Sequence, residues 1–513
     1  MYKYNTIYGA LLFAVSVLCC SCKKENASYN ADDLTNPKSI FPAPPTQWLS
    51  FAGTTYYSSG YVGDVMPYYD NGTFHVFYLH DGDAASDADG GGFHPIHALE
   101  TSDLLTYSYD GKMINYSSTA DQDMALGTGS VVKVGSTYYF YYTGHNGTAT
   151  WIASNPAETV KYATSTDLKN WTKNEDFSLT PPTGYGTSDF RDPFVFYNDE
   201  DGQYWMLVTA KYGDNAVVTL FKSTDPSTDE WTLSGPIYTA SSSVTGMLEC
   251  PDMFKMGSTW YMVYSDQESS TVKYLTASSA SGPFTAPTQN TLDGGYFYGA
   301  RTQSDGSNRY LFGWNYRKDG STDYGSKTWA GNLIVHQLVQ NSDGTLATTT
   351  PQVQSELLSK SATLEQVDAT SASNSGSDYT LQSAGAVHFD RISGQKRIAA
   401  TISGLTDSDD AGFVFGWARP DNTDYYKIRF QSGAATIAKV QSDAEYVDAT
   451  IPYTASTSGD ITVEIVIDNT SFVVHINGVT SLTGRSYWLP NAQWGLYSVG
   501  GSVTFKALGL YGY

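Results

Sequence analysis

Three acids in this chain share one local pattern. Asp64 lies in Gly63-Asp-Val-Met-Pro67, Asp192 in Phe190-Arg-Asp-Pro-Phe194 and Glu249 in Glu249-Cys-Pro-Asp-Met-Phe254. Each has a proline within three residues and then an aromatic-rich segment beyond a short turn. Proline has no backbone N–H and belongs at the start or edge of a strand, where an acid can face away from the sheet. Paired carboxyls can cleave a glycosidic bond, and a third acid can hold the sugar. A single Asp of this kind can equally cap a turn, but three at equivalent positions point to glycoside chemistry. Other chemistries find less support. There is no glycine-rich phosphate loop with a lysine and no helix carrying paired histidines. Cys250, between an acid and a proline, reads as a packing residue rather than a nucleophile.

The elements that must position these acids repeat along the chain. Between residues 60 and 355 one aromatic strand recurs five times, as Gly72–Leu79, Gly135–Thr143, Gly202–Val208, Gly257–Tyr264 and Asn308–Trp314. A second element follows several copies: a strand ending in Ser or Thr, then Asp, then an aromatic, as in Lys161–Asp167 with Trp171 and Phe221–Asp225 with Trp231. Two elements recurring in fixed order predict blades of a propeller. The competing reading is a sandwich of Tyr-rich strands, whose elements would not keep that order. An all-β chain is expected, with a five-bladed β-propeller over residues 46–355 followed by a β-sandwich over 360–513. The sandwich is signalled by alternating strands such as Arg397–Ile402, Ile461–Ile467 and Ser471–Ile476. Residues 351–361 are the expected connector.

Composition agrees. Tyr (40), Gly (47) and Trp (11) are abundant while only 16% of residues are charged, a mix that suits strands and tight turns. With 29 Lys+Arg against 52 Asp+Glu the net charge is −23, which argues against a nucleic-acid partner. Residues 1–22 carry a positive start and a short apolar run ending at Ser21-Cys22, the form of a secretion signal. The arrangement resembles a bacterial lipoprotein signal, with Cys22 the lipidated residue and residues 23–45 a flexible tether. That implies a lipid-anchored protein of the cell envelope, touching the membrane only through its N-terminus. Cys250 is then left alone in the folded region, without a disulfide framework.

At the acids themselves the chain resembles glycoside hydrolase family 32, the invertase, inulinase and levanase family. Phe190-Arg-Asp-Pro and Glu249-Cys-Pro-Asp-Met-Phe match two of its motifs, and Phe297-Tyr-Gly-Ala-Arg-Thr-Gln303, Leu311-Phe-Gly-Trp314 and Thr328-Trp-Ala-Gly331 follow in family order. The resemblance implies retaining hydrolysis of β-fructosides, with Asp64 as nucleophile, Glu249 as acid/base, and Asp192 with Arg191 binding ring hydroxyls. Glu249 is expected to be kept protonated by the Asp charges and partial burial, and Arg191 to keep Asp192 ionised. One departure stands out: the family's opening motif Trp-Met-Asn-Asp-Pro-Asn-Gly is replaced by Gly63-Asp-Val-Met-Pro67, so the Trp and Asn that line the sugar pocket are missing. An arabinoside or other furanoside, or a non-catalytic carbohydrate-binding lipoprotein, are the alternatives this opens. His80, Asp81 and His97, with Trp314 and Trp329, are expected near the rim as sugar contacts, although Trp in a blade can also be packing. The acidic loop over residues 81–92 offers carboxylates in no EF-hand spacing and reads as solvated. The scheme needs no metal or cofactor; the expected partner is an oligo- or polysaccharide of fructan type, bound by a monomer.

Overall fold

A computed structural model describes residues 38–513, apart from 45–46, 52–53, 59, 82–93, 242–243, 245, 407–408, 417–423 and 491; of 47–51 and 54–58 it describes the backbone. The signal segment, Cys22, most of the tether and nearly all of the 81–92 loop therefore lie outside the described residues.

Strand follows strand as successive four-stranded antiparallel meanders. The first runs Tyr61–Asp70, Thr73–Asp81, Ile96–Thr101 and Ser108–Ile114. The next begin with Ala125–Val134, Tyr185–Asn198, Leu248–Met256 and Phe297–Ser304, and each leading strand pairs with the strand after it. These leading strands pack against one another in cyclic order, and the last returns to the first. That is a propeller, with the leading strands lining the axis.

The aromatic repeats are the second strands, and their burial explains their composition. Thr73–Asp81 is buried at every position but its first, because neighbouring blades cover both of its faces. Blades splay apart away from the axis, and large rings fill the widening gap. Phe77 meets Phe140 at 5.1 Å between centroids, and Trp171 packs on both. Trp231 packs edge-on against Tyr141 in the same way. The Ser/Thr-x-Asp elements are the turns leaving the third strands. Asp167 Oδ1 accepts from the backbone N–H groups of Lys169 and Asn170 at 2.9 and 2.8 Å, and Asp103 caps Leu105 and Thr106 likewise.

The C-terminal strands pair in one continuous antiparallel network that folds around a core that includes Phe413, Ile428, Ile465, Phe472, Trp494 and Phe505. The connector is a short helix, Gln352–Leu357, followed by Lys360–Ala362, which pairs with the last strand, Val503–Gly512. Propeller and sandwich share a sheet edge: Thr291–Asp293 runs parallel to Thr480–Arg485.

One expectation is corrected here. A tether was expected as far as residue 45, but Lys38–Pro44 packs on the folded body. Ile40 and Phe41 are buried, and their N–H groups donate to Asp468 Oδ2 at 2.9 and 3.2 Å. Two adjacent apolar side chains gain more from burial than a free linker would retain.

Candidate active site

Every leading strand is interrupted by a register shift at the same level of the axis. The interruptions fall between Val62 and Val65, Gly127 and Gly129, Arg191 and Phe194, Glu249 and Asp252, and Tyr298 and Arg301. Within or at the edge of them stand Asp64, Thr128, Asp192, Glu249 with Cys250, and Gly299. A bulge turns a side chain out of the pleat, so the three acids predicted from sequence meet around one point although three different blades carry them. Asp192 and Cys250 take left-handed backbone conformations, φ 60° and 51°, unusual for residues with a Cβ. Strain of this kind concentrates at functional sites.

Asp64 is held from two sides. Its Oδ2 accepts from Thr128 Oγ1 at 2.8 Å and its Oδ1 from Trp314 Nε1 at 2.9 Å. A Cβ on Gly299 would overlap both Asp64 Oδ1 and Trp314 Nε1, so this glycine makes room for the carboxylate. Glu249 Oε2 accepts from the Tyr298 hydroxyl at 2.6 Å, and Oε1 takes Arg191 Nη2 at 2.9 Å and Gln267 Nε2 at 3.3 Å. Burial, reinforced by the Glu249 charge, pushes the Tyr298 hydroxyl far up, so it remains a protonated donor. Asp192 is nearly inaccessible. Its Oδ2 accepts from the Cys250 N–H at 2.9 Å and its own N–H donates to Thr143 Oγ1 at 2.8 Å. Burial pushes its carboxyl up to about 7; Arg191 opposes the shift, while Glu249 and Asp64 add to it.

Several assignments change. Arg191 does not pair with Asp192: its ion pairs are with Glu249, and at 3.3 Å with Glu158 and Asp189. The guanidinium's nearby charge is too weak to keep Asp192 in the ordinary carboxylate range against complete burial. His80, Asp81 and His97 are not at an open rim but buried, at 1, 4 and 4% exposure. His80 and His97 stack at 4.0 Å between centroids, and burial lowers the His80 pKa to about 4. Asp81 is taken by Arg317 at 2.6 Å. Trp314 offers no free face for a sugar ring, since it is fully buried; its contribution is the N–H it gives Asp64. Trp329 is half-buried, with its ring against Gly63, where a Cβ would overlap it, and 4.3 Å from the His94 ring. Cys250 is buried, and burial with the Asp192 and Asp64 charges pushes its thiol well up, as fits a packing residue.

Thr128 and Glu158 carry no mark in the sequence motifs, and Tyr298 and Gly299 stand in the Phe297–Gln303 family motif without a role assigned to either. Thr128 had one available signal: Asp64, Thr128 and Asp192 fall at equal spacing in the chain.

Residues 63–350 match the glycosyl hydrolases family 32 N-terminal domain, and residues 344–508 the GH32, BT1760-like, C-terminal domain. The chain is 28% identical to raffinose invertase of Escherichia coli over 324 residues, 59% of this chain and 62% of that protein. It is 26% identical to the levanbiose-producing levanase of Bacillus subtilis over 244 residues, 47% of this chain and 42% of that one. These alignments thus span less than two thirds of either relative. In fold it is similar to fructan 1-exohydrolase IIa from Cichorium intybus, with a TM-score of 0.69 at 17% identity, covering 91% of this chain and 97% of that one. Acids on bulged axial strands, the two matched domains and the shared propeller and sandwich place the chain in glycosyl hydrolase family 32.

Proposed function

We propose that the protein hydrolyses β-fructosides with retention of configuration. The observation that carries this reading is the meeting of Asp64, Asp192 and Glu249 on three bulged strands, each carboxylate held by its own donors. Asp64, oriented by Thr128 and Trp314, attacks the anomeric carbon while Glu249 delivers a proton to the departing oxygen. Glu249 then takes a proton from water as that water releases the sugar from Asp64. Tyr298 and Arg191 hold Glu249 in place through both steps. Asp192 binds ring hydroxyls. The names of the similar proteins, an invertase and a levanase, favour sucrose-type oligosaccharides and fructans as substrates. The changed opening at Gly63 leaves room for another furanoside.

The test is product release from sucrose, raffinose, levan and inulin, with an arabinoside panel alongside. Asp64→Asn and Glu249→Gln are each expected to lower turnover by about 10³-fold or more. Full activity in either variant would remove that residue from the reaction, and binding of fructan without any product would favour a non-catalytic carbohydrate-binding role. We further propose that Cys22 carries a lipid anchor that holds a monomer at the cell envelope. Radiolabelled palmitate should enter the wild-type chain and not Cys22→Ala.

A further inference from the structure

A bulge removes backbone carbonyls from the sheet ladder, and a buried carbonyl without a donor is costly. The carbonyls of Asp192 and Pro251 lie inside the third and fourth interruptions. Both are satisfied by one side chain from a third strand. Arg301, on the fifth leading strand, donates Nη2 to the Asp192 carbonyl at 3.0 Å and Nη1 to the Pro251 carbonyl at 2.6 Å. It is 1% exposed, and its guanidinium carbon lies 5.3 Å from the centre of the Phe194 ring. A buried cation normally goes to an acid; here both terminal nitrogens go to backbone, one at the residue carrying the proposed sugar-binding acid, the other two residues beyond the proposed acid/base. A guanidinium is a rigid planar fork, so it sets the distance between its two acceptors as well as binding each.

We infer that Arg301 is a positioning residue: it ties the bulge carrying Asp192 to the bulge carrying Glu249 and thereby fixes where Glu249 meets the leaving oxygen. It touches no substrate and acts through the backbone on either side of it. The inference rests on the reading of Glu249 as acid/base. Because a misplacement near 1 Å is enough to cost about 10²-fold in rate, loss of the fork should fall chiefly on proton delivery, and its size should depend on how much proton help the leaving group needs.

The experiment compares Arg301→Lys and Arg301→Met with wild type on sucrose, a poor leaving group, and on an aryl β-fructofuranoside with an acidic phenol. The expected result for Arg301→Met is a fall in kcat on sucrose of about 10²-fold, at most about one tenth of that fall on the aryl substrate, and KM little changed. Added azide should raise turnover of the aryl substrate, since an anionic nucleophile needs no base to open the fructosyl-enzyme. Arg301→Lys keeps the charge but reaches one carbonyl, and should show the same leaving-group dependence in weaker form. Circular-dichroism melting of each variant reports the folded fraction. Should Arg301→Met fail to fold, Arg301→Lys decides alone. Equal losses on the two substrates, or no loss in a folded variant, overturn the inference. If only levan or inulin is turned over, that fructan replaces sucrose in the comparison; a wild-type protein inactive on these as well overturns the functional reading, and this inference falls with it.

Discussion

Asp192 shows what burying an acid beside two others does to a protein. Its ordinary pKa is 3.8 and in the fold it is pushed up to about 7, burial being the main cause. The folded state thus favours the protonated form. The stability that this carboxyl contributes is fully present below about pH 4 and is lost as pH rises to about 7. Asparagine, of the same shape and uncharged, has nothing to lose over that range. Asp192→Asn should therefore be more stable than wild type at pH 8, on the order of 2 kcal/mol, with the difference shrinking towards pH 4. Denaturant unfolding at pH 4.5 and pH 8 checks this, and a difference independent of pH would contradict it. Sugar binding should weaken in the same variant, since with its oxygen taken by the Cys250 N–H an amide has only its NH₂ donor left to offer the hydroxyls. Stability and function pull apart at this residue, as they often do in a preorganised site.

At the scale of the element, the bulge is what turns a blade strand into part of a site. A regular strand would alternate its side chains across the pleat and send successive residues to neighbouring blades. Register shifts in the leading strands turn Asp64, Thr128 and Asp192 to the axis and press Gly299 against Asp64. Close approach of this kind depends on the absence of a side chain. Gly299 has φ 56°, and a Cβ there would overlap Asp64 Oδ1 and Trp314 Nε1. Gly299→Ala is expected to cost about 1–3 kcal/mol in stability and to lower turnover by at least about 10-fold through displacement of Asp64. Thermal melting and kinetics on sucrose measure the two effects. A variant with wild-type rate would show that Asp64 is not held where its neighbours place it.

At the scale of the molecule, propeller and sandwich are joined by buried polar contacts as well as apolar ones. Arg485 of the sandwich donates to Asn315 Oδ1 and Asn332 Oδ1, both at 2.6 Å, and to the Tyr316 carbonyl at 2.9 Å, all in the propeller. Asp293 of the propeller accepts from the N–H and hydroxyl of Thr483 at 2.9 and 2.7 Å. Lys318 reaches Asp448 at 3.0 Å and also Tyr426. Arg485→Met takes a donor from Asn332 Oδ1 and the Tyr316 carbonyl, and one of two donors from Asn315 Oδ1, whose other is the Asn332 N–H, and should cost about 2–4 kcal/mol. The expected sign is a lowered melting temperature with propeller and sandwich still unfolding together; an unchanged melting temperature would mean that the apolar contacts alone join them. Tyr316 packs against Trp314 at 4.6 Å between centroids, so the sandwich braces the very strand that steadies Asp64.

The sequence by itself determined the strand-rich blades, the order of propeller and sandwich, and the three acids. Those signals are local: an aromatic strand repeats because every blade must fill the same wedge, and each acid sits in the same place ahead of it. What only the tertiary structure decided is who meets whom across blades. Thr128 looks like a turn residue in Gly-Thr-Gly until it is seen beside Asp64. Arg191 looks like the partner of its neighbour Asp192, yet adjacent strand residues point apart, and its side chain reaches Glu249. Trp314 reads as a sugar platform or as packing; it is packing, fully buried in the core, and from there it also gives the N–H that orients Asp64. Contacts between residues far apart in sequence are set by how the twisted blade sheets close on one another; even the equal spacing of Asp64, Thr128 and Asp192 marks the level of the axis and not which side chains meet.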